Sequence, residues 1–402
     1  MTMPNKMTGS NLHRREILKA GLYVGATTAL TGSSWADEPD SAASARPYNG
    51  PNIVIVRFGG GARRRETIDP DHTYSPFLCR EFSARGTLFP LMEIAEEEGV
   101  ETGHGQGTLN ILTGKYDNYK DVKNEFMAER FETSSPTLFE YLRKTFDVPE
   151  HQALMVNGED RKDEEFYTFS NHRVFGYPYR SNVLSLYRFK TFLLRRQIAS
   201  GDYSNQQLKK KKQQLAEFEK LDYRVKKEIP APEIEEFWQR WQQHYGQSGF
   251  VNPRGDRLLT ELTTRAIEQL RPKLVMVNYN DCDYVHWGNI NHYTRAVSIM
   301  DMGLRKIVRT VAADPEYRDN TIFVVVPDCG RDNNRFASVP CQHHFNSRSS
   351  REIFGLFVGL GIAEGRVVDR RVEQISVAPT VAHLMGTGSE FAKGRVLEEA
   401  IA

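Results

Sequence analysis

The chain has 402 residues, 53 of them Lys or Arg and 52 Asp or Glu, for a formal net charge of +1, so no bulk field draws it to nucleic acid or to anionic lipid. Four cysteines are too few to staple a chain of this length, which fits one large α/β domain carrying an insertion.

Residues 1–36 read as an address. His13-Arg14-Arg15-Glu16-Ile17-Leu18-Lys19 has the paired arginines, apolar residues and lysine of a twin-arginine export signal, followed by the weakly apolar stretch Ala20 to Thr31 and a small-x-small cleavage site at Ser34-Trp35-Ala36. The stretch is too short to span a bilayer, so no stable membrane insertion is expected after cleavage. The expectation is passage through the twin-arginine translocase and residence in the periplasm or outside the cell. Cleavage would leave 49 basic and 51 acidic residues, a formal charge of −2. Residues 37–50 read as a polar linker to an α/β domain over 51–402.

That domain opens on Asn52-Ile-Val-Ile-Val-Arg57, a β-branched run predicting a buried parallel strand. Gly59-Gly60-Gly61 and Arg63-Arg64-Arg65 follow directly. Exposed backbone N–H groups and guanidinium forks suit a tetrahedral oxyanion, although a flexible turn with surface arginines paired to acids explains them equally well. Neither a dinucleotide fingerprint nor a Walker loop is present. Thr102-Gly103-His104-Gly105-Gln106-Gly107 is a second glycine-rich approach, leading to the apolar turn Ile111-Leu112-Thr113-Gly114 and offering a hydroxyl and an imidazole to a ligand.

Further strands are expected at Ala153–Asn157, Leu274–Asn278, Thr321–Val326 and Ile353–Val358. Met300, Leu304, Ile307 and Val311 repeat at helical spacing and predict an amphipathic helix over Asn291–Ala313 with that stripe on the sheet. Strand, helix, strand in this order predicts a three-layer α/β/α fold with a mostly parallel central sheet. Residues 160–250 break the alternation. They read as a largely helical cap insertion over the strand ends, docked by Phe237, Trp238 and Trp241, with Lys209–Lys212 on a solvated face.

Three separated segments carry the chemistry. Asp281-Cys282-Asp283-Tyr284-Val285-His286 follows one predicted strand, Asp328-Cys329-Gly330-Arg331 follows another, and Gln342-His343-His344 lies downstream. Strand-end carboxylates commonly cap turns. Their convergence with imidazoles instead points to a divalent cation held from several strand ends. Cys329 and Cys341 admit a disulfide, a thiolate ligand or plain packing.

The order of these pieces resembles the alkaline phosphatase superfamily, which includes sulfatases, phosphodiesterases and phosphonate hydrolases. The likeness runs from Asn52 to about Gly388 outside the insertion, with Ile111–Gly114 and Gln374–Gly386 the good matches. It implies one metal site from Asp283, His286 and His344, with Asp281 and His343 as register alternatives, and Asp328 in a second site. The chain departs from the family at three places: Gly60 stands near a first-strand Asp, Cys329 replaces the His of an Asp-His-Gly element, and His104 occupies the nucleophile position. If two ions bind, His104, Asp328 and Cys329 hold the second and favour zinc over magnesium or calcium. If one binds, an activated water or His104 attacks.

The resemblance therefore implies a metal-dependent hydrolase of phosphate, sulfate or phosphonate esters using zinc, with manganese or magnesium as alternatives. In this reading His104, Arg63 and Arg64 are catalytic, while Gly60, Gly61, Arg65 and Thr102 contact an anionic small-molecule ester. The rivals are a catalytically silent member binding an anionic ligand or protein, and a metal-dependent isomerase or transferase. Arylsulfatase chemistry is disfavoured because no Cys-x-Pro-x-Arg or Ser-x-Pro-x-Arg motif precedes the Thr-Gly turn.

Overall fold

Among the described residues nine strands form a single sheet: β1 (Asn52–Phe58), β2 (Gly86–Glu93), β3 (Ala153–Val156), β4 (Asn182–Leu184), β5 (Leu274–Asn278), β6 (Thr321–Pro327), β7 (Glu352–Gly359), β8 (Arg366–Val367) and β9 (Val372–Glu373). Their order is β4-β3-β5-β1-β6-β7-β2-β8, with β9 also on β2. In this computed structural model the described residues are 46–116, 133–158, 174–221, 231–247, 255–286, 288–334, 336, 341–343 and 346–402. The expected signal peptide, the linker as far as residue 45, and His344 lie outside them.

The five strands from β4 to β6 run parallel, whereas β7 is antiparallel to both β6 and β2. The five runs expected from sequence are all strands, in a mostly parallel sheet. Strand β2 escaped because Pro90 interrupts it. Proline cannot donate to the ladder, and the register with β7 shifts between Phe89 and Met92.

Strand alternation divides the core between two faces. Val54, Val56 and Phe58 of β1 join one cluster; Ile53 and Ile55 join the other. The principal helices among the described residues are α1 (His104–Thr113), α2 (Leu138–Thr145), α3 (Leu186–Ser200), α4 (Asn205–Leu221), α5 (Pro232–Tyr245), α6 (Asp256–Leu270), α7 (Ile290–Ala313) and α8 (Val377–Met385). Residues of α3, α5, α6 and α7 cover the Val54 face, and residues of α1, α2 and α8 cover the Ile53 face. The α7 stripe Met300, Leu304, Ile307 and Val311 is buried as its spacing predicts.

The interval 160–250 differs from the expected cap. Its described part supplies edge strand β4 beside β3, and Phe189, Phe237, Trp238 and Trp241 are buried in the main core. Helix α4 carries Lys209, Lys210 and Lys212 exposed. Much of this interval is therefore body. The reason is the apolar content of α3 and α5, which a separate lid would leave wet.

Candidate metal centre

The adjacent central strands β5, β1 and β6 end side by side, and their following loops carry Asp281–His286, Gly59–Gly61 and Asp328–Arg331. Arg331 threads these loops together. Fully buried, its guanidinium donates to the carbonyls of Gly60, Gly61, Cys282 and Cys341. Gly60 has φ +81, and a Cβ there would lie 2.3 Å from the Asp283 nitrogen. Only glycine allows the β1 and β5 loops to meet this closely.

Three imidazoles point the same nitrogen at one carboxylate oxygen. His104 Nε2 is 2.5 Å, His286 Nε2 2.6 Å and His343 Nε2 3.2 Å from Asp283 Oδ1. Ligand atoms of these four residues all lie within 4.8 Å of one another. Donors around a tetrahedral zinc stand about 3.3 Å apart, so small shifts of these side chains would enclose an ion.

The other ring nitrogens are also committed. His104 Nδ1 faces Asp328 Oδ2 at 2.8 Å, His286 Nδ1 faces Gln342 Oε1 at 3.0 Å, and His343 Nδ1 faces the Thr102 carbonyl at 3.3 Å. Each partner accepts a proton from Nδ1. With Nδ1 so committed, the proton an incoming ion would displace is the one on Nε2, leaving that lone pair turned inward, which is how metal-ligating histidines are commonly oriented. The donor chemistry thus fits a divalent ion of the zinc type and suits magnesium or calcium poorly, because those ions prefer oxygen ligands.

A second group, His104, Asp328 and Cys329, also meets the distance requirement. Asp328 has little left to offer an ion. Oδ1 accepts from Gly61 N at 3.1 Å and Cys329 N at 2.7 Å; Oδ2 accepts from Gly60 N at 3.1 Å and His104. Four donors match the roughly four lone-pair sites of a carboxylate. Arg57, buried at the end of β1, brings its own positive charge to 3.9 Å from Asp328 and also binds Thr108 and Asn280. Here a guanidinium and an imidazole stand beside the second carboxylate.

The electrostatics agree with that geometry. Burial opposes charge on His104, but the field of Asp328 and its hydrogen bond outweigh it and raise the imidazole to about 9. Burial likewise works against the Asp328 carboxylate, yet His104, Arg57 and the Gly61 amide hold it well below the usual carboxylate range. The Cys329 thiol is pushed up to about 11, first by burial and then by the charge of Asp328.

Several sequence expectations change. Asp281 is not in the cluster: its Oδ1 accepts from Asp256 N while its own N donates to Asp256. His343 takes part in the four-residue group. The amides of Gly60 and Gly61 cradle an internal anion, Asp328, in place of a substrate. Arg63 forms a two-pronged pair with buried Glu66, Arg65 also reaches Glu66, and Arg64 donates to the Ile353 and Met92 carbonyls. Arg63 and Arg65 thus meet on one internal carboxylate and Arg64 is spent on backbone carbonyls, so the three are held within the protein. The Thr102 hydroxyl donates to the His343 carbonyl, holding that loop. All four cysteines are free thiols, so Cys329 and Cys341 are not bridged.

Arg57 beside Asp328, and the contact of Gln342 with His286 Nδ1, were not among the sequence expectations. The available signal for Arg57 was a charge closing an otherwise apolar strand. His286, with a side chain 25% exposed against 9% or less for His104, Asp283 and His343, marks the side from which solvent reaches the cluster.

No family model and no curated protein matches this sequence. Solved structures do match. A protein in the alkaline phosphatase superfamily from Vibrio parahaemolyticus aligns at 16% identity over 89% of this chain and 73% of its own, with TM-score 0.54. Wild-type alkaline phosphatase PafA aligns at 10% identity over 88% of this chain and 99% of its own, with TM-score 0.55. A sulfatase candidate from Bacteroides thetaiotaomicron aligns at 11% identity over 87% and 76%, with TM-score 0.50. The order of strands, the two helical layers and these alignments agree that this chain has the fold of the alkaline phosphatase superfamily.

Proposed function

We propose that this chain is an exported hydrolase of phosphate or related oxyanion esters, dependent on one divalent ion, best matched by zinc. The observation that carries the reading is the convergence of three Nε2 atoms and one carboxylate oxygen, with every Nδ1 tied to an acceptor. His104, His286, His343 and Asp283 would hold the ion. Bound there, a divalent ion supplies Lewis-acid polarisation of an ester oxygen. Three neutral imidazoles and one carboxylate leave a divalent ion with net charge +1, which favours an anionic ligand. His286 presents the open side. Asp328 fixes the orientation of His104, and Arg57 keeps Asp328 ionised. Export is supported by the twin-arginine pattern at residues 13–19.

A second reading is a silent, ion-binding member of the fold. Two observations favour it. Four protein donors complete a tetrahedral shell, the pattern of structural zinc sites. The hydroxyls flanking His104, on Thr102 and Thr108, both donate to backbone carbonyls.

Elemental analysis paired with a phosphatase, phosphodiesterase and sulfatase screen separates the two. Hydrolase activity that tracks zinc content and disappears in His286→Ala supports the enzyme. One tightly held zinc with no turnover in any screen supports the silent member, and no zinc uptake removes both.

A further inference from the structure

Helix α1 carries His104 and the end of β6 carries Asp328, so the contact between them depends on how these two elements are joined. They meet at backbone level. A Cβ on Gly107 would lie 2.1 Å from the Asp328 carbonyl oxygen, which means that one turn past His104 the helix rests directly on the strand end. Three buried amide side chains reinforce that contact. Gln374 Nε2 donates to the Pro327 carbonyl at 2.8 Å and the Asp328 carbonyl at 2.9 Å. With its NH2 committed to two carbonyls, Gln374 turns Oε1 outward to accept from Asn110 Nδ2 at 3.0 Å, and Asn110 Oδ1 accepts from Gln106 Nε2 at 2.9 Å. The two carbonyl bonds of Gln374 put Asn110 Nδ2 on its Oε1; Asn110 Oδ1 then faces Gln106 Nε2 but also the carbonyl oxygens of Gln106 and Lys115 at 3.1 and 3.3 Å, so the firm links are those made by Gln374 itself.

Gln374 and Asn110 are fully buried and Gln106 is 5% exposed. An amide in such surroundings costs free energy unless its hydrogen bonds are made, so removing the Gln374 amide would leave the buried Pro327 and Asp328 carbonyls without that donor. The chain of amides runs from α1, through Gln374 in the turn Gln374–Ser376 that leads into α8, to the strand end beside the ligand cluster. None of its members belongs to that cluster.

From this connection we infer that Gln374 is a positioning residue for the metal centre: by stapling α1 to the end of β6 through Asn110 and Gln106, it sets the His104–Asp328 contact and hence the inward tautomer of His104. The inference rests on the reading of His104 as an ion ligand. It adds a residue 46 positions beyond Asp328 that touches neither ion nor substrate.

The test uses full-length protein, zinc as the probe, and Gln374→Met, which keeps length and removes every amide hydrogen bond. Zinc affinity is read by chelator competition. The imidazole tautomers of metal-free protein are read from two-bond proton–nitrogen couplings after histidine labelling, at a pH above the value of about 9 at which His104 gives up its second proton. Gln374→Met is expected to weaken zinc about 10-fold, the lower end of the range for groups that orient a metal ligand. It should also populate the other His104 tautomer. Combining it with Asp328→Asn should weaken zinc no further than Asp328→Asn alone, because both act through one contact.

Two variants guard against general destabilisation. Thr380→Val, on α8, removes the hydrogen bonds to the Ser376 carbonyl and from Leu397 N, and should lower the melting temperature without changing zinc affinity. Gln106→Leu, at the far end of the chain, covers the case in which Gln374→Met does not fold, and should weaken zinc in the same direction by a smaller factor. Wild-type zinc affinity and an unchanged His104 tautomer in folded Gln374→Met would overturn the inference. Additive losses in the double variant would do so too. A changed tautomer in a protein that never binds zinc would keep the staple and remove the metal reading.

Discussion

Replacing Asp328 by asparagine changes one atom and reverses its hydrogen-bonding sense. With the amide oxygen at the Oδ1 position, the bonds from Gly61 N and Cys329 N survive. The amide NH2 then stands where Oδ2 accepted from Gly60 N and His104 Nδ1, so donors face donors. His104 can relieve the clash only by moving its proton to Nε2, the atom that must offer a lone pair to the ion. Misorienting one ligand of four in this way is expected to weaken zinc about 10- to 100-fold. The buried Gly60 amide left without an acceptor costs about 1–3 kcal/mol of stability, and Arg57 loses a nearby compensating charge. The assay is chelator competition with zinc on protein whose circular dichroism is native. A folded Asp328→Asn variant with wild-type zinc affinity would refute the reasoning, because it would mean that His104 needs no acceptor at Nδ1.

Other outcomes follow from the same geometry. His286→Ala and His343→Ala should each reduce zinc stoichiometry measured by mass spectrometry, whereas Asp281→Ala should leave it at the wild-type value. Cys329→Ser should keep wild-type zinc affinity within about threefold, since Cys329 lies outside the group His104, Asp283, His286 and His343. Gly60→Ala forces a side chain into positive φ and against the Asp283 nitrogen, so thermal unfolding should show a loss of at least about 1–3 kcal/mol. In metal-free protein, His104 has a folded value of about 9, above its ordinary 6.5. The stabilisation from this raised value is complete below about pH 6.5 and is lost as pH climbs through 9, so the melting temperature should fall across that window. His104→Gln should remove that slope.

The core of the fold could be read from the chain because β-branched runs and a 3.6-residue stripe report burial directly. The antiparallel direction of β7 could not, since Ile353–Val358 has the same apolar character as its parallel neighbours. Pro90 concealed β2 for the opposite reason, breaking a strand pattern that a register shift accommodates. In the site, three segments at strand ends identified the right region, but the ligands within each depended on loop conformation. Asp281 and Asp283 are two residues apart in a short 3₁₀ turn, Asp281–Val285, and only Asp283 faces the imidazoles. For Arg63, Arg64 and Arg65 the sequence left an anion clamp and pairing to acids equally open, because it does not show that Glu66 and two backbone carbonyls lie within their reach. Asp328 does stand with His104 and Cys329 within ligand distance, but a sequence shows its carboxylate without the four N–H donors that surround it.

The most direct measurement is zinc-edge X-ray absorption on the loaded protein, read together with the His286→Ala variant. The account predicts one zinc per chain with light nitrogen and oxygen neighbours at about 2.0–2.2 Å, imidazole scattering from three rings, and loss of one ring in the variant. Sulfur at about 2.3 Å would contradict it by putting Cys329 in the coordination shell. A spectrum identical in wild type and His286→Ala would contradict it as firmly.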